Sequence, residues 1–595
     1  MADQSIELEP RRASLFQCEE LSTGGEAFTR LPIRQRVLGW ASGQKNAHVP
    51  ACVFPQAVVV FYLAKSIVYV ALYWYIIRDA SQDIFAELNV KRFILYNIVG
   101  DAIGLNATFG PLGFRSLRRA AFVPLFNFLT PGTITGPLLP GIRALRSRWL
   151  VVAYALYIVL LVRALVAPTI GAAEVVPPLV LLAVMAPFDF VIAEASRLEH
   201  YGYMLFCLAF DEWIFGCQCV QLALWTGAGI SKLGPWFKAV PVSMAVNAPW
   251  SGLVPTFIRA LHRDFPRDVR PSALARALAA VGVAAEVSMG AFCAFGPTRR
   301  FGVLLTLGFH TFISLHLPFA SVQEWNLFCM YASVCFFGHH SFSWPDDGVH
   351  PALAAGLALV LLVIPLVGQL CPARVPFLYA YRPYAGNWFF AWHIVSKHGQ
   401  PKLRSLRTAE SLFFEENDPE SSLAAACRKH MPTAWLADRE WHAQFVTVGL
   451  AAQLMQWPQY RPLLPIIEAM ETRYGWTTAD DYRLFFHMPF LALVHGWNLA
   501  AGWHLREGAP YYAALQQTCG FEKGECLVVL FKPLSLLSRT AEFCVIDPAD
   551  AGTHGGDGIM RGRIPYAELE RMQPVEMDVE MLETYVVTRG REKRE

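Results

Sequence analysis

Charge is what this sequence has least of. Only 16% of its 595 residues are Asp, Glu, Lys or Arg, while 54% are hydrophobic, and ordinary soluble domains carry about 25% charged residues. The deficit excludes a wholly soluble chain and points to lipid. Net charge is nearly lacking as well: a formal +2 gives neither the basic bulk that nucleic acid attracts nor an acidic one. Cysteine pairing is missing in turn. The 13 Cys contain no C-x-x-C pair, and Cys217 and Cys219, two apart, would diverge on a helix. A disulfide framework and a zinc site are therefore not expected. The first residues, MADQSIELEPRRASLFQCEE, lack the apolar run of a cleavable signal peptide. No myristoylation motif or prenylation box is present, so anchoring is expected from apolar segments inside the chain.

Those segments are what is there. A helix rising 1.5 Å per residue needs about 20 apolar residues to cross a hydrocarbon core of about 30 Å. Runs of that kind lie near residues 54–77, 149–167, 175–192, 272–295, 301–319 and 351–370, with three broken or polar ones near 93–109, 203–227 and 325–338. About eight spans are expected. Arg115, Arg118, Arg119, Arg143, Arg146 and Arg148 share one loop without an acidic residue, which places that loop in the cytoplasm. Arg30, Arg34, Arg36 and Lys45 put the N-terminus on the same side, and the basic stretch 374–407 does the same for the C-terminal part.

Charged residues become frequent from about residue 401, and no later run is long enough to span. The expected organisation is a polar segment at 1–50, a mostly α transmembrane bundle at 51–400 and a water-facing α/β or α+β domain at 401–595. Within that last part SSLAAACRKHM and AQFVTVGLAAQLMQW read as helical, while CLVVLFK and FCVIDP read as strands. The Gly-rich GTHGGDG follows no strand-to-helix pattern of a phosphate loop and reads as a connection.

Ionisable residues inside apolar runs are expensive and invite functional readings. Here they are Lys65, Arg163, Asp189, Asp211, Glu212, Lys232, Glu286, His310, His316 and Glu324. Lys65 and Arg163 can snorkel or pair, and the carboxylates can be structural partners of such cations. Lys232 stands out in TGAGISKLGPWFKAV, where small residues permit close packing and Gly-Pro ends the helix. Partial desolvation there favours the neutral amine, which suits a general base; an interfacial snorkelling lysine is the other reading. His310 and His316 are six apart, about 240° round a helix, so they do not form a metal-binding face. His339 and His340 do not complete a di-iron pattern either, and no metal is expected. In the C-terminal part HGWNLAAGWHL gathers His495, Trp497, Asn498, Trp503 and His504, types suited to a polar pocket or to packing at headgroups.

Two stretches carry a resemblance. TGAGISKLGPWFKAVPVSM resembles the segment of the vitamin K-dependent gamma-carboxylases and their bacterial HTTM relatives that holds the catalytic-base lysine. AAEVSMGAFCAFGPTRRFGVLLTLGFHTFISLHLPFASVQEWNLFCMYASVCFF resembles their later helix pair. The resemblance implies Lys232 as the base, His310 as its orienting partner, and a reduced quinone as the lipid-soluble molecule deprotonated. Glu286, His316 and Trp236 are the candidate substrate-binding residues around them. NFLTPGTITGPLLPG, YRPYAGNW, HGWNLAAGWHLREG and CGFEKGECLVVLF resemble a family of actinobacterial transmembrane proteins of unknown function, over both parts of the chain. The polar C-terminal part does not resemble the luminal domain of the animal carboxylases, so a quinone- or lipid-directed reaction is expected rather than protein carboxylation. The alternative is a membrane component without catalysis, transporter-like or complex-assembling, in which the same residues pair structurally. The bilayer is the one partner expected from composition.

Overall fold

A computed structural model of the chain describes residues 31–37, 56–106, 111, 129–135, 142–143, 145–246, 248, 250, 253–265, 268–316, 323–372, 375, 377–382, 385, 390–405, 450, 454, 457–478, 480–486, 510–550 and 559–587. The motif HGWNLAAGWHL, the run SSLAAACRKHM, most of AQFVTVGLAAQLMQW and the turn GTHGGDG lie outside them, as does most of the arginine-rich loop.

The architecture is mostly helical, with a β-sheet in the C-terminal part. Helix α1 spans Gln56–Leu72 and runs on as a wide turn to Ile77; α2 spans Glu87–Ile103, α3 Arg148–Val166 and α4 Ala172–Met185. After a break come two short helices, Phe190–Ala195 and Tyr203–Cys207, joined by the wide turn Leu198–Gly202. Then follow α5 (Trp213–Ser231), α6 (Ala273–Ala294), α7 (Arg299–His316), α8 (Gln323–Ser333) and α9 (Pro351–Ala358), which continues to Leu370.

Four of these are long and apolar enough to cross a membrane: α3, α5, α6 and α9 with its continuation. Leu63–Ile77 and α4 are shorter apolar helices. The expected eight spans are therefore not reached among the described residues. The reason is local. Glu87, Lys91, Arg92 and Asp101 make α2 too polar, although most of its residues are buried. The apolar run near 175–192 breaks before Asp189, which caps the next helix by accepting from the Val191 amide at 3.2 Å. Likewise the run near 203–227 is interrupted between Cys207 and Trp213.

Helix α6 is the spine of the site region, because it has glycine on both flanks. A Cβ on Gly229 of α5 would lie 2.7 Å from the Val287 amide nitrogen. One on Gly302 of α7 would come within 2.5 Å of the Cys293 amide nitrogen. Lipid tails are as apolar as leucine, so helices in a bilayer associate through such close backbone contact rather than through hydrophobic exclusion. Leucines and valines on the outer faces remain exposed, including Val152, Val159, Val281, Leu304 and Leu362, which suits contact with lipid.

Strands β1 (His262–Asp264) and β2 (Asp268–Pro271) form a small hairpin between α5 and α6. The larger sheet contains β3 (Phe390–Ser396), β4 (Tyr482–Phe486), β5 (Cys526–Phe531), β6 (Thr540–Ile546) and β7 (Met560–Pro565), in the order β4-β3-β5-β6-β7 and antiparallel throughout. CLVVLFK and FCVIDP are its neighbours β5 and β6. The interior strand β3, between β4 and β5, comes from residues ahead of 401. Every residue of β5 is buried, so it reads as a continuous apolar run and not as an alternating one. Helices α10 (Leu463–Tyr474) and α11 (Pro510–Cys519) accompany the sheet.

The sheet is anchored on the helical part by a buried guanidinium group and by ion pairs. Arg382, 1% exposed, donates to the carbonyls of Gly368 at the end of α9 and of Leu534 after β5. Within the C-terminal part, buried Arg461 donates to the carbonyls of Leu569 and Met572. Lys238 reaches Glu570 at 2.8 Å, and Arg34 makes a two-pronged contact with Glu468 at 2.6 Å to each oxygen.

Candidate functional site

Lys232 is the C-cap of α5, where the Gly-Pro sequence that follows stops the helix and leaves the long side chain to reach sideways. It reaches α6. Its Nζ donates to both oxygens of Glu286, each at 2.6 Å, and both residues are buried. The contact depends on the close approach at Gly229, three residues before Lys232. A buried lysine within hydrogen-bond reach of both oxygens of a buried carboxylate forms a matched pair. The Phe237 ring lies 5.9 Å from the ammonium.

His310 occupies the next layer on α7. The indole Nε1 of Trp225 on α5 donates to its Nε2 at 3.0 Å, and its Nδ1 is 2.7 Å from Asn326 Oδ1 on α8. An indole nitrogen only donates, so Nε2 must accept and Nδ1 must carry the proton that Asn326 receives. The ring is thereby held neutral, oriented and occupied at both nitrogens. Lys232 acts on it through electrostatics without a direct hydrogen bond among the described contacts.

The other expected site residues sit elsewhere. His316 turns to its own helix, with Nδ1 2.7 Å from the Phe312 carbonyl, and stacks edge-on against Trp250 at 4.6 Å. Trp236 is buried, donates to the Ser231 carbonyl at 3.1 Å and packs with Ala385, Leu534 and Tyr566. It belongs to the seam with the sheet. Asp189 is the buried partner of Arg146 at 2.5 Å, Arg163 is exposed, Asp211 is exposed, and Glu212 accepts from the His350 amide at 3.2 Å.

A second polar centre was legible in the sequence only through Lys65 and Glu324. SRLEH, which separates two apolar runs as a connecting loop would, is folded into the interior: Arg197 is 5%, Glu199 1% and His200 0% exposed. Arg197 has a left-handed backbone, φ 48°, and its guanidinium lies 4.6 Å over the Trp325 ring. It approaches Glu199 at 3.4 Å and Asp101 of α2 at 3.7 Å, while Lys65 of α1 meets Glu324 of α8 at 3.1 Å. His200 repeats the pattern of His310. Trp325 donates to its Nδ1 at 2.8 Å, so its Nε2 donates to Gln221 at 3.0 Å.

The two centres meet on α8. Glu324, Trp325 and Asn326 are consecutive, about 100° apart around the helix, and face Lys65, His200 and His310 respectively. No group of His, Cys, Asp and Glu suited to a metal ion occurs among the described residues. The described cysteines are unpaired with one another.

Residues 26–416 match a family described as transmembrane protein of unknown function (DUF3556). No curated protein and no solved structure matches the chain. The matched region is more than half of the sequence and contains all four long apolar helices and both polar centres, so the chain belongs to this family of transmembrane proteins and resides in a lipid bilayer.

Proposed function

We propose that the Lys232 and Glu286 pair is the acid–base centre of a membrane enzyme acting on the hydroxyl of a lipid-soluble molecule, of which a reduced quinone is the class implied by the gamma-carboxylase resemblance. The observation that carries this reading is the bidentate contact of 2.6 Å made by a buried lysine at a broken helix end. In that pair the carboxylate is the group able to accept a proton. A substrate O–H bond breaks, the proton moves to Glu286, and the electron pair stays on oxygen. The Lys232 ammonium then faces the oxyanion and stabilises it. His310 is a positioning residue in this scheme, because both of its nitrogens are engaged. Trp236 supports the broken helix end from the sheet side. The accompanying topology is multi-pass, with the basic segments and both termini cytoplasmic.

The test uses purified full-length protein in lipid nanodiscs with a short-chain reduced quinone. Oxygen uptake and quinol deprotonation are expected for the wild type and are expected to fall by at least about tenfold, some 1.4 kcal/mol, in Lys232→Met and in Glu286→Gln. Unchanged rates in both variants, with folding retained, would overturn the enzymatic reading. A second reading, a transporter-like or complex-assembling component, is favoured by the extension of buried polar contacts beyond Lys232 to Arg197, Asp101 and Lys65. Ionisable residues linked through a bundle interior are a common feature of proton and ion pathways.

A further inference from the structure

The centre around Arg197 has more negative than positive charge. Three carboxylates, Asp101, Glu199 and Glu324, surround two cations, Lys65 and Arg197. Asp101 is 3%, Glu199 1% and Glu324 1% exposed. A buried charge without a matching one is costly enough that the group takes up a proton instead. Two further observations point to a bound species. The Oε2 of Glu199 is enclosed and has no hydrogen-bond partner among the described residues. The hydroxyls of Tyr379 and Tyr381, also enclosed and without a hydrogen-bond partner among them, interact electrostatically with the same carboxylate.

We propose that this centre is a proton-binding site, in which Asp101, Glu199 and Glu324 share one exchangeable proton inside the membrane part. Uptake forms an O–H bond on one carboxylate oxygen with a proton from water and needs no redox partner. A metal cation fits less well, because Arg197 and Lys65 already stand among the carboxylates and the described residues hold no metal-ligating group. The groups facing the site come from each packed element: Lys65 and Tyr69 from α1, Tyr96 and Asp101 from α2, Tyr154 from α3, and Glu324 and Cys329 from α8. Arg197, Glu199, His200, Tyr201 and Tyr203 come from the broken segment after α4, and Tyr379 and Tyr381 from the segment after α9, while Glu194 interacts with Tyr379 beside the three-carboxylate cluster. Trp325 and Gln221 engage both His200 nitrogens, which leaves the three carboxylates as the seat of the proton.

The experiment is infrared spectroscopy of the full-length protein in nanodiscs at neutral pH, in H2O and D2O. A protonated-carboxyl carbonyl band that shifts in D2O is expected in the wild type. Asp101→Asn, Glu199→Gln and Glu324→Gln each leave two carboxylates with two cations, so each should lose that band. Glu286→Gln should keep it, which separates this site from the proposed catalytic pair. A wild type without the band, or a band unchanged in all three variants, overturns the proposal. Should the variants fold poorly, the wild type alone decides. A folded state holding an extra proton loses stability as pH rises, so its thermal midpoint should fall from mildly acidic to mildly alkaline buffer. A flat or rising midpoint overturns the proposal equally.

Discussion

The two buried centres are built from the same residue types and handle charge in opposite ways. At Lys232 one cation meets one carboxylate through both oxygens, at the end of a helix. Around Arg197 two cations meet three carboxylates, at longer distances, deep in the bundle and on a left-handed backbone residue. Each centre is bordered by a histidine that accepts from an indole and donates to an amide, so neither ring supplies the missing charge. The difference teaches that burial alone does not decide function: a balanced pair suits a defined proton transfer, whereas an unbalanced cluster requires a bound counter-species.

The sharpest way to break the comparison is to unbalance the balanced pair. Lys232→Met leaves Glu286 buried without its cation and should destabilise the protein by about 3–5 kcal/mol, measured by denaturant unfolding in mixed micelles. Lys232→Met with Glu286→Leu should recover most of that loss. A single variant as stable as wild type would show that the pair is solvated. Replacing the histidines comes next. His310→Ala strands the Trp225 indole and His200→Ala strands Trp325, each costing about 1–3 kcal/mol and each visible in tryptophan emission. Equal costs would confirm that the two rings play one structural role in two electrostatic settings; a much larger cost at His200 would tie it to the unbalanced centre.

Water-facing charges provide the contrast for both centres. Lys238 and Glu570 are each well exposed at the seam with the sheet, so Lys238→Ala should cost no more than about 1 kcal/mol in the same unfolding assay. The smallest effect is expected at Asp481. Amide donation from Thr477, aided by Lys397, holds its carboxyl down at about 2, below the ordinary value of about 3.9. Its stabilisation is complete above the ordinary value and disappears as pH falls from about 4 through about 2. Asp481→Asn should flatten that part of the acid limb and leave the neutral plateau nearly unchanged.

Much of the helical frame was legible because apolar length is a property of contiguous residues. Lys232 was legible too, since small residues before it and Gly-Pro after it mark a helix end in a few positions of sequence. Its partner was one ionisable residue among ten and a candidate substrate-binding residue beside it, and the direct pairing was not legible because nothing local connects position 232 to 286. The packing at Gly229 makes that connection. Arg197, Glu199 and His200 escaped notice for the opposite reason. A charged run between apolar stretches is ordinarily a water-facing loop, and only partners from α1, α2 and α8 make its burial tolerable. In the sheet, CLVVLFK and FCVIDP declared themselves by apolar runs. MRGRIP of β7 has polar residues on an outer strand and offers no such signal.

Strand β3 also has a consequence for how the chain is made. It is an interior strand paired on both edges, yet its neighbours β4 and β5 begin at residues 482 and 526. During synthesis, which proceeds from the N-terminus, β3 emerges after the last of the described long apolar helices and waits with both edges unpaired until its partners are translated. The inserted helices are by then in place, so the sheet closes last, upon a surface already fixed in the bilayer.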